Sequence, residues 1–312
     1  MAGSGPLTPA DLALRAGLDE SYVAEWLIGQ AAAGYVTCNA EHGTFELPAE
    51  AVLALADETS PHFIPGAFQI AAGLVPATEA VASAFRTGGG VSPAAYGPDL
   101  WEGMDRASRV RARASLVPNW LPSLDGVTAR LESGAPVADV GCGRGVALIV
   151  LANAYPRSRF AGFDPDGASI EHARAAAAAA GVEQQVRFEA ASATTFPGEG
   201  YELVTCLDCL HEMADPVAAA RHIKTALAPE GTWLVVEPFT SDRLEDALGP
   251  FGRLAASVSA LYCMPAARAA GGAGAGITRG EKWVHDVAQE AGFRRVRRLP
   301  DTPFNLIFEM RP

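Results

Sequence analysis

The chain has 312 residues, 49% of them hydrophobic, which is enough for one large domain or two smaller ones with a sizeable core. Its 24 Lys and Arg against 36 Asp and Glu leave a net charge of −12, a field that repels nucleic acid and anionic membrane and weighs against both as partners. There is no charge-free apolar run of about 18 residues, and the opening residues lack the basic and apolar regions of a secretory signal, so a cytoplasmic protein is expected.

Thr8 can cap a short helix with Pro9 at its first position, and Asp19 can cap a second. Two candidate strands follow, at Ala33–Thr37 and Gly43–Leu47, and together these elements spell a mainly α winged helix-turn-helix over residues 1–60. A DNA-reading second helix would carry Lys, Arg, Asn or Gln toward the groove, whereas this one carries Glu20, Glu25 and apolar residues. A dimerisation or lid module is therefore the expectation. Residues 61–130 read as a helical linker with breaks at Gly88–Gly90 and Gly97–Pro98, and this segment is expected to cover a substrate. Tyr96, Trp101 and Met104 in it are candidates for a pocket wall, against the alternative that they are simply core.

From 131 to 312 apolar runs alternate with amphipathic helices, the pattern of a parallel α/β sheet. Strands are expected at Val137–Val140, Arg159–Phe163, Val186–Glu189, Leu203–Leu207 and Thr232–Val236. Two more close the chain at Val296–Leu299 and Leu306–Met310. Helices are expected at Val146–Tyr155, Ser169–Ala180, Pro216–Leu227 and Glu281–Ala291, with an insertion from Phe239 to about Gly276. Within the insertion, Tyr262 and Met264 are further candidates for an apolar substrate wall beside the glycine run Gly271–Gly276.

The first strand leads into Val137-Ala-Asp-Val-Gly-Cys-Gly-Arg-Gly-Val-Ala-Leu148. Gly141, Gly143 and Gly145 let the turn run close against a bound molecule, with Cys142 between them. A dinucleotide loop would want its third glycine where Val146 stands, which counts against an NAD(P) oxidoreductase. Asp139 beside the loop would repel a pyrophosphate and attract a cationic tail. Asp164, at the end of the second strand and followed by Pro165, can accept both hydroxyls of a ribose. Loop and acids together ask for a nucleoside with a positively charged, non-phosphate extension, and S-adenosylmethionine answers that description.

On these residues the stretch from Pro136 to the C-terminus resembles the class I S-adenosylmethionine-dependent methyltransferases. The resemblance implies an α/β, Rossmann-like, seven-stranded, mostly parallel sheet with helices on both faces, whose last strand is antiparallel. With the winged-helix front, nearly the whole chain is similar to bacterial small-molecule methyltransferases, often of secondary metabolism. Their Leu-His-Glu/Asp-Met-x-Asp-Pro run stands here as Leu210-His-Glu-Met-Ala-Asp-Pro216. In such relatives a helix before the equivalent of Leu7 helps dimerisation, and its absence weakens the expectation of a homodimer. Relatives also place an Asp after the third strand for the adenine; Ser192 is the substitute here.

The resemblance puts Asp208 and Cys209 beside the methionine part of the donor, and His211 with Glu212 in the place of the His-Asp pair that deprotonates a hydroxyl acceptor. An imidazole suits that task at neutral pH; the alternative is that His211 caps or packs. A His and a carboxylate could also hold iron, as in C-methyltransferases acting on 2-oxo acids, but the insertion has no His and only Cys263 and Met264, so no metal is expected. Cys206 and Cys209 form a C-x-x-C without a second pair, which speaks for buried or pocket thiols rather than zinc. The expected reaction is methyl transfer to a small apolar or aromatic acceptor, through oxygen. C- or N-methylation of a small acid and a cofactor-sensing winged-helix regulator are the alternatives.

Overall fold

The computed structural model describes every residue except 275, 277, 278 and 301–303. The chain divides into two compact units, residues 1–68 and 69–312. In the first, α1 (Pro9–Ala16) starts on a reciprocal cap: the Thr8 hydroxyl accepts from the Asp11 N–H, and the Asp11 carboxylate accepts from the Thr8 N–H. Asp19 caps α2 (Glu20–Ala32). Strands β1 (Thr37–Asn39) and β2 (Thr44–Glu46) pair antiparallel and α3 (Ala49–Leu55) follows. The core is Ala13, Val23, Leu27, Val36 and Phe45. Leu14, Leu18, Tyr22 and Trp26 stay exposed on α1, α2 and the turn between them, an apolar surface where a DNA reader would carry a basic one.

The helical segment contains α4 (Pro65–Leu74), α5 (Thr78–Thr87) and α6 (Pro98–Arg111). A π-helical stretch, Ala112–Trp120, leads on to α7 (Leu121–Ser123) and α8 (Val127–Ser133). Helical structure from Pro65 to Thr87 has the length and composition of a membrane span. It is not free of charge, because Glu79 and Arg86 lie inside it.

The sheet of the second unit is built from β3 (Pro136–Val140), β4 (Arg159–Asp164), β5 (Val186–Ala190), β6 (Tyr201–Leu207), β7 (Leu227–Pro238), β8 (Arg295–Arg298) and β9 (Asn305–Arg311). Their order is β5-β4-β3-β6-β7-β9-β8; the first five are parallel, and β9 is antiparallel to both its neighbours. The connecting helices are α9 (Val146–Ala154), α10 (Gly167–Ala179) and α11 (Pro216–Ala226).

Period-two alternation splits the core into two layers. Val137, Leu203 and Leu234 point to one face with Leu148 and Ile170, whereas Ala138, Val204 and Val235 point to the other with Ile223 and Val284. The inner parallel strands β3, β4, β6 and β7 bury both faces, so they read as apolar runs, whereas the edge strands β5 and β8 leave residues exposed. β7 begins earlier than its apolar run suggests, because Leu227 already pairs with Tyr201 before the register shifts at Leu203.

The insertion is helical: α12 (Leu244–Ala247), α13 (Pro250–Val258), a π turn at Ser259–Cys263 and α14 (Met264–Ala269), after which α15 (Glu281–Glu290) rejoins the sheet. The glycine run, whose Ala275 lies outside the described residues, is packed at Gly272, where an added Cβ would come within 2.9 Å of the Ala214 backbone.

Candidate active site

The loop after β3 crosses the carboxyl ends of the parallel strands, where the order turns between β4-β3 and β3-β6. Gly141 and Gly145 both have φ of 78°, and a Cβ at either would strike a neighbour, Cys209 Sγ at 2.6 Å or the Phe188 ring at 2.5 Å. Gly143, with φ of 50°, has no protein atom within 4 Å of where its Cβ would be, so a molecule can lie against it.

Asp164 braces this loop. One carboxylate oxygen accepts from the Gly143 N–H and the other from the Asp166 N–H, each at 2.9 Å, leaving each oxygen a lone pair for a ribose hydroxyl. Burial raises its pKa and the two N–H donors pull against that. Pro165 is exposed beside it.

Asp139 sits beneath the loop, 2% exposed, and accepts from the Thr205 hydroxyl at 2.6 Å. Burial drives its carboxyl up to about 7, against the hydroxyl's pull. Thr205, unnoticed in the sequence because it lies inside an apolar strand, is thus part of the site. Cys142 is buried, with its thiol pushed upward by the same desolvation. The Ser192 hydroxyl bonds those of Thr194 and Thr195, so it serves its own turn as well as any ligand.

After β6, Asp208 adopts φ of 55°, a strained value for a residue with a Cβ. Arg111 at the end of α6 holds one of its oxygens at 2.8 Å and Asn305 at the start of β9 donates to the other at 2.9 Å. The Cys209 thiol donates to the Val140 carbonyl under the glycine loop.

His211 lies in a 3₁₀ turn, Leu210–Glu212, and is 2% exposed. Its Nδ1 is 2.5 Å from Glu237 Oε2, and Glu237 Oε1 accepts from the Leu210 N–H at 2.9 Å. The carboxylate that orients the imidazole is therefore Glu237, at the end of β7. Glu212, the other catalytic candidate, stands on the opposite side of the ring, with Oε1 3.5 Å from Nε2. Burial opposes charge on His211, but Glu237 at Nδ1, with Cys263 and Glu212 beside the ring, raises the imidazole well above its ordinary value. Burial likewise raises Glu237, and the imidazole offsets this only in part.

Tyr262 in the π turn packs edge-on against Tyr96 at 5.4 Å and Trp101 at 6.0 Å between ring centroids, and the Tyr96 hydroxyl donates to the Leu261 carbonyl. Met104 joins the same cluster, and Met264 opens α14 half-buried. Cys263, next to Tyr262 in the π turn, brings its thiol within 4.8 Å of a ring nitrogen of His211 and a carboxylate oxygen of Glu212, so the aromatic cluster borders the His211 turn. Residues 131–285 match a family described as a methyltransferase domain, and residues 1–56 match one described as an Rv2258c-like winged helix-turn-helix domain. The chain carries a methyltransferase domain.

The ubiquinone biosynthesis O-methyltransferase of Bordetella bronchiseptica is 35% identical over 109 residues, 34% of this chain and 44% of that protein. The chain's matches cover between 25% and 47% of the length of such curated relatives. Among solved structures, the mitomycin 7-O-methyltransferase MmcR is similar over 99% of this chain and 89% of that one, with a TM-score of 0.68 at 22% identity. Human N-acetylserotonin methyltransferase gives 0.71 at 18% identity, over 99% and 88% of the two chains. At these identities the likeness is one of fold. The other three histidines of the methyltransferase domain have partners of their own: His172 Nε2 is 3.7 Å from Asp105 Oδ2, His222 Nε2 is 2.8 Å from the Phe196 carbonyl, and His285 Nε2 is 3.5 Å from Glu281 Oε1.

Proposed function

We propose that the chain transfers the methyl group of S-adenosylmethionine to a hydroxyl of a small, apolar or aromatic acceptor, with His211 as general base. The observation that carries this reading is a buried imidazole fixed at Nδ1 by Glu237, with Nε2 left without a hydrogen bond among the described residues. The donor, when bound, supplies a methyl group on a positively charged sulfur. The acceptor oxygen forms the new bond to that carbon as the carbon–sulfur bond breaks, and the acceptor proton passes to Nε2 of His211 in its neutral form, whose share grows as pH rises because the imidazole is raised. The products are a methyl ether and S-adenosylhomocysteine.

Each part of the site has a place in this reaction. Gly141 and Gly145 let the loop pass close to Cys209 and Phe188, Gly143 gives the donor room, Asp164 takes its ribose hydroxyls, and Asp139 with Asp208 serves its amino-acid end. Tyr96, Trp101 and Tyr262 wall the acceptor and exclude water, so alignment and proximity provide most of the acceleration. Nucleic acid stands outside the proposal, since the exposed surface of α1 and α2 is apolar and acidic.

Calorimetry tests the donor half. An ionised Asp139 favours the cationic amino-acid tail, and its carboxyl titrates at about 7. S-adenosylmethionine is expected to bind about tenfold more tightly near pH 8 than near pH 6. In Asp139→Asn the affinity is lower and nearly flat across that range. No binding at millimolar donor would reject the reading, and equal wild-type affinities would remove Asp139 from it.

The acceptor half is tested by incubating the chain and donor with pooled small metabolites and searching by mass spectrometry for methylated products. Phenols and other aromatic alcohols are the expected hits. Products methylated only on nitrogen or carbon would overturn the oxygen assignment.

A further inference from the structure

Nε2 of His211 is buried and makes no hydrogen bond among the described residues, an unfavourable state for a buried polar atom unless something binds there. Two other side chains converge on the same point. A ring nitrogen of His211, a Glu212 carboxylate oxygen and Cys263 Sγ all lie within 4.8 Å of one another, and Nε2 is the nitrogen that faces Glu212. An acceptor hydroxyl needs one base here; it does not require a thiol and a second carboxylate aimed at the same spot.

One nitrogen, one oxygen and one sulfur make the ligand set of a tetrahedral divalent ion with its fourth position open. Sulfur and imidazole select a soft ion over magnesium or calcium. Tetrahedral ligand atoms stand about 3.5 Å apart, and His211 Nε2 and Glu212 Oε1 are already at 3.5 Å. Glu237, held to Nδ1, is the outer carboxylate that commonly orients a metal-bound histidine.

We propose that His211, Glu212 and Cys263 form a binding site for a soft divalent cation of the zinc class. The sequence led to the opposite expectation because the insertion contains no His; the π turn at Ser259–Cys263 nonetheless delivers a thiol. An ion here takes the same lone pair that receives the acceptor proton, so its binding silences the base. The inference needs only the three ligands and goes beyond the proposed reaction.

The test uses the full chain stripped with chelator and titrated with cobalt(II), read by the near-ultraviolet thiolate-to-cobalt charge-transfer band. The expected signal saturates at one ion per chain and is displaced by zinc. Cys263→Ser, Cys263→Ala and His211→Ala lose it, whereas Cys38→Ser, which alters an exposed thiol, retains it. Donor binding by the Cys263 variants shows that they are folded. No band at millimolar cobalt, or a band that survives Cys263→Ala, overturns the site. Failure of donor binding in the wild type would instead sink the methyl-transfer reading and leave the cobalt result standing.

Discussion

His211→Ala is expected to lower turnover by roughly 10²–10⁴-fold, the range for losing a positioned general base. Affinity for S-adenosylmethionine should stay near the wild-type value, because no hydrogen bond joins His211 to the glycine loop or Asp164. Removing a ring buried to 2% exposure also leaves a space of its own shape. Added imidazole should therefore restore part of the lost rate, an effect that a merely packed histidine would not give. Unchanged turnover in the variant, with a methylated product in hand, would eliminate the base assignment.

Glu237→Gln is the second large effect, and its cause lies in which nitrogen carries the proton. Glu237 accepts at both oxygens, from the Leu210 N–H and from Nδ1 of His211. Glutamine has one acceptor and one donor end. If its oxygen keeps Leu210, its amide points at Nδ1 and drives the ring proton onto Nε2, so the base is lost without any change of shape. A fall in kcat of roughly 10²–10⁴-fold is expected, by analogy with other histidines held in the wrong tautomer.

The same variant reports through pH. Both members of the pair are raised in the folded state, so the folded chain binds protons more tightly than the unfolded one. The stability this contributes from His211 is fully present below its unfolded value of about 6.5 and is lost as pH rises through the folded value. Melting followed with chelator present should show the wild type losing stability with rising pH above that point, and Glu237→Gln losing less. Glu237→Ala, which strands the imidazole, should cost about 3–5 kcal/mol. A full rate with an unshifted pH profile in Glu237→Gln would discard the positioning role.

Much of this was legible in the chain. Val137–Val140 and Leu203–Leu207 are apolar because both their faces are buried, and helix caps such as Thr8 and Asp19 act within three residues of themselves. The loop glycines and Asp164 are also local, lying at fixed offsets from strands that can be read directly. The rest depends on pairs far apart in sequence. Glu237 meets His211 across 26 positions, and only an acid closing the apolar run Leu234–Val236 could have pointed to it, the signal that picked out Asp164. Thr205 looked like one more strand residue. The φ of Asp208 and its clamp by Arg111 and Asn305, and the approach of Cys263, follow from tertiary packing that no local pattern encodes.

The sheet order also bears on how the molecule is made. β9 follows β8 in sequence, yet it lies between β7 and β8. While a ribosome is still synthesising the residues after β7, that apolar strand presents an unpaired edge, open to wrong partners in the crowded surroundings of translation. Asn305, the first residue of β9, is also what secures Asp208. Asp208 is thus held by Arg111, made before it, and by a strand made only after the rest of the sheet, so the strand that shields the nascent edge of β7 is also one that completes the site.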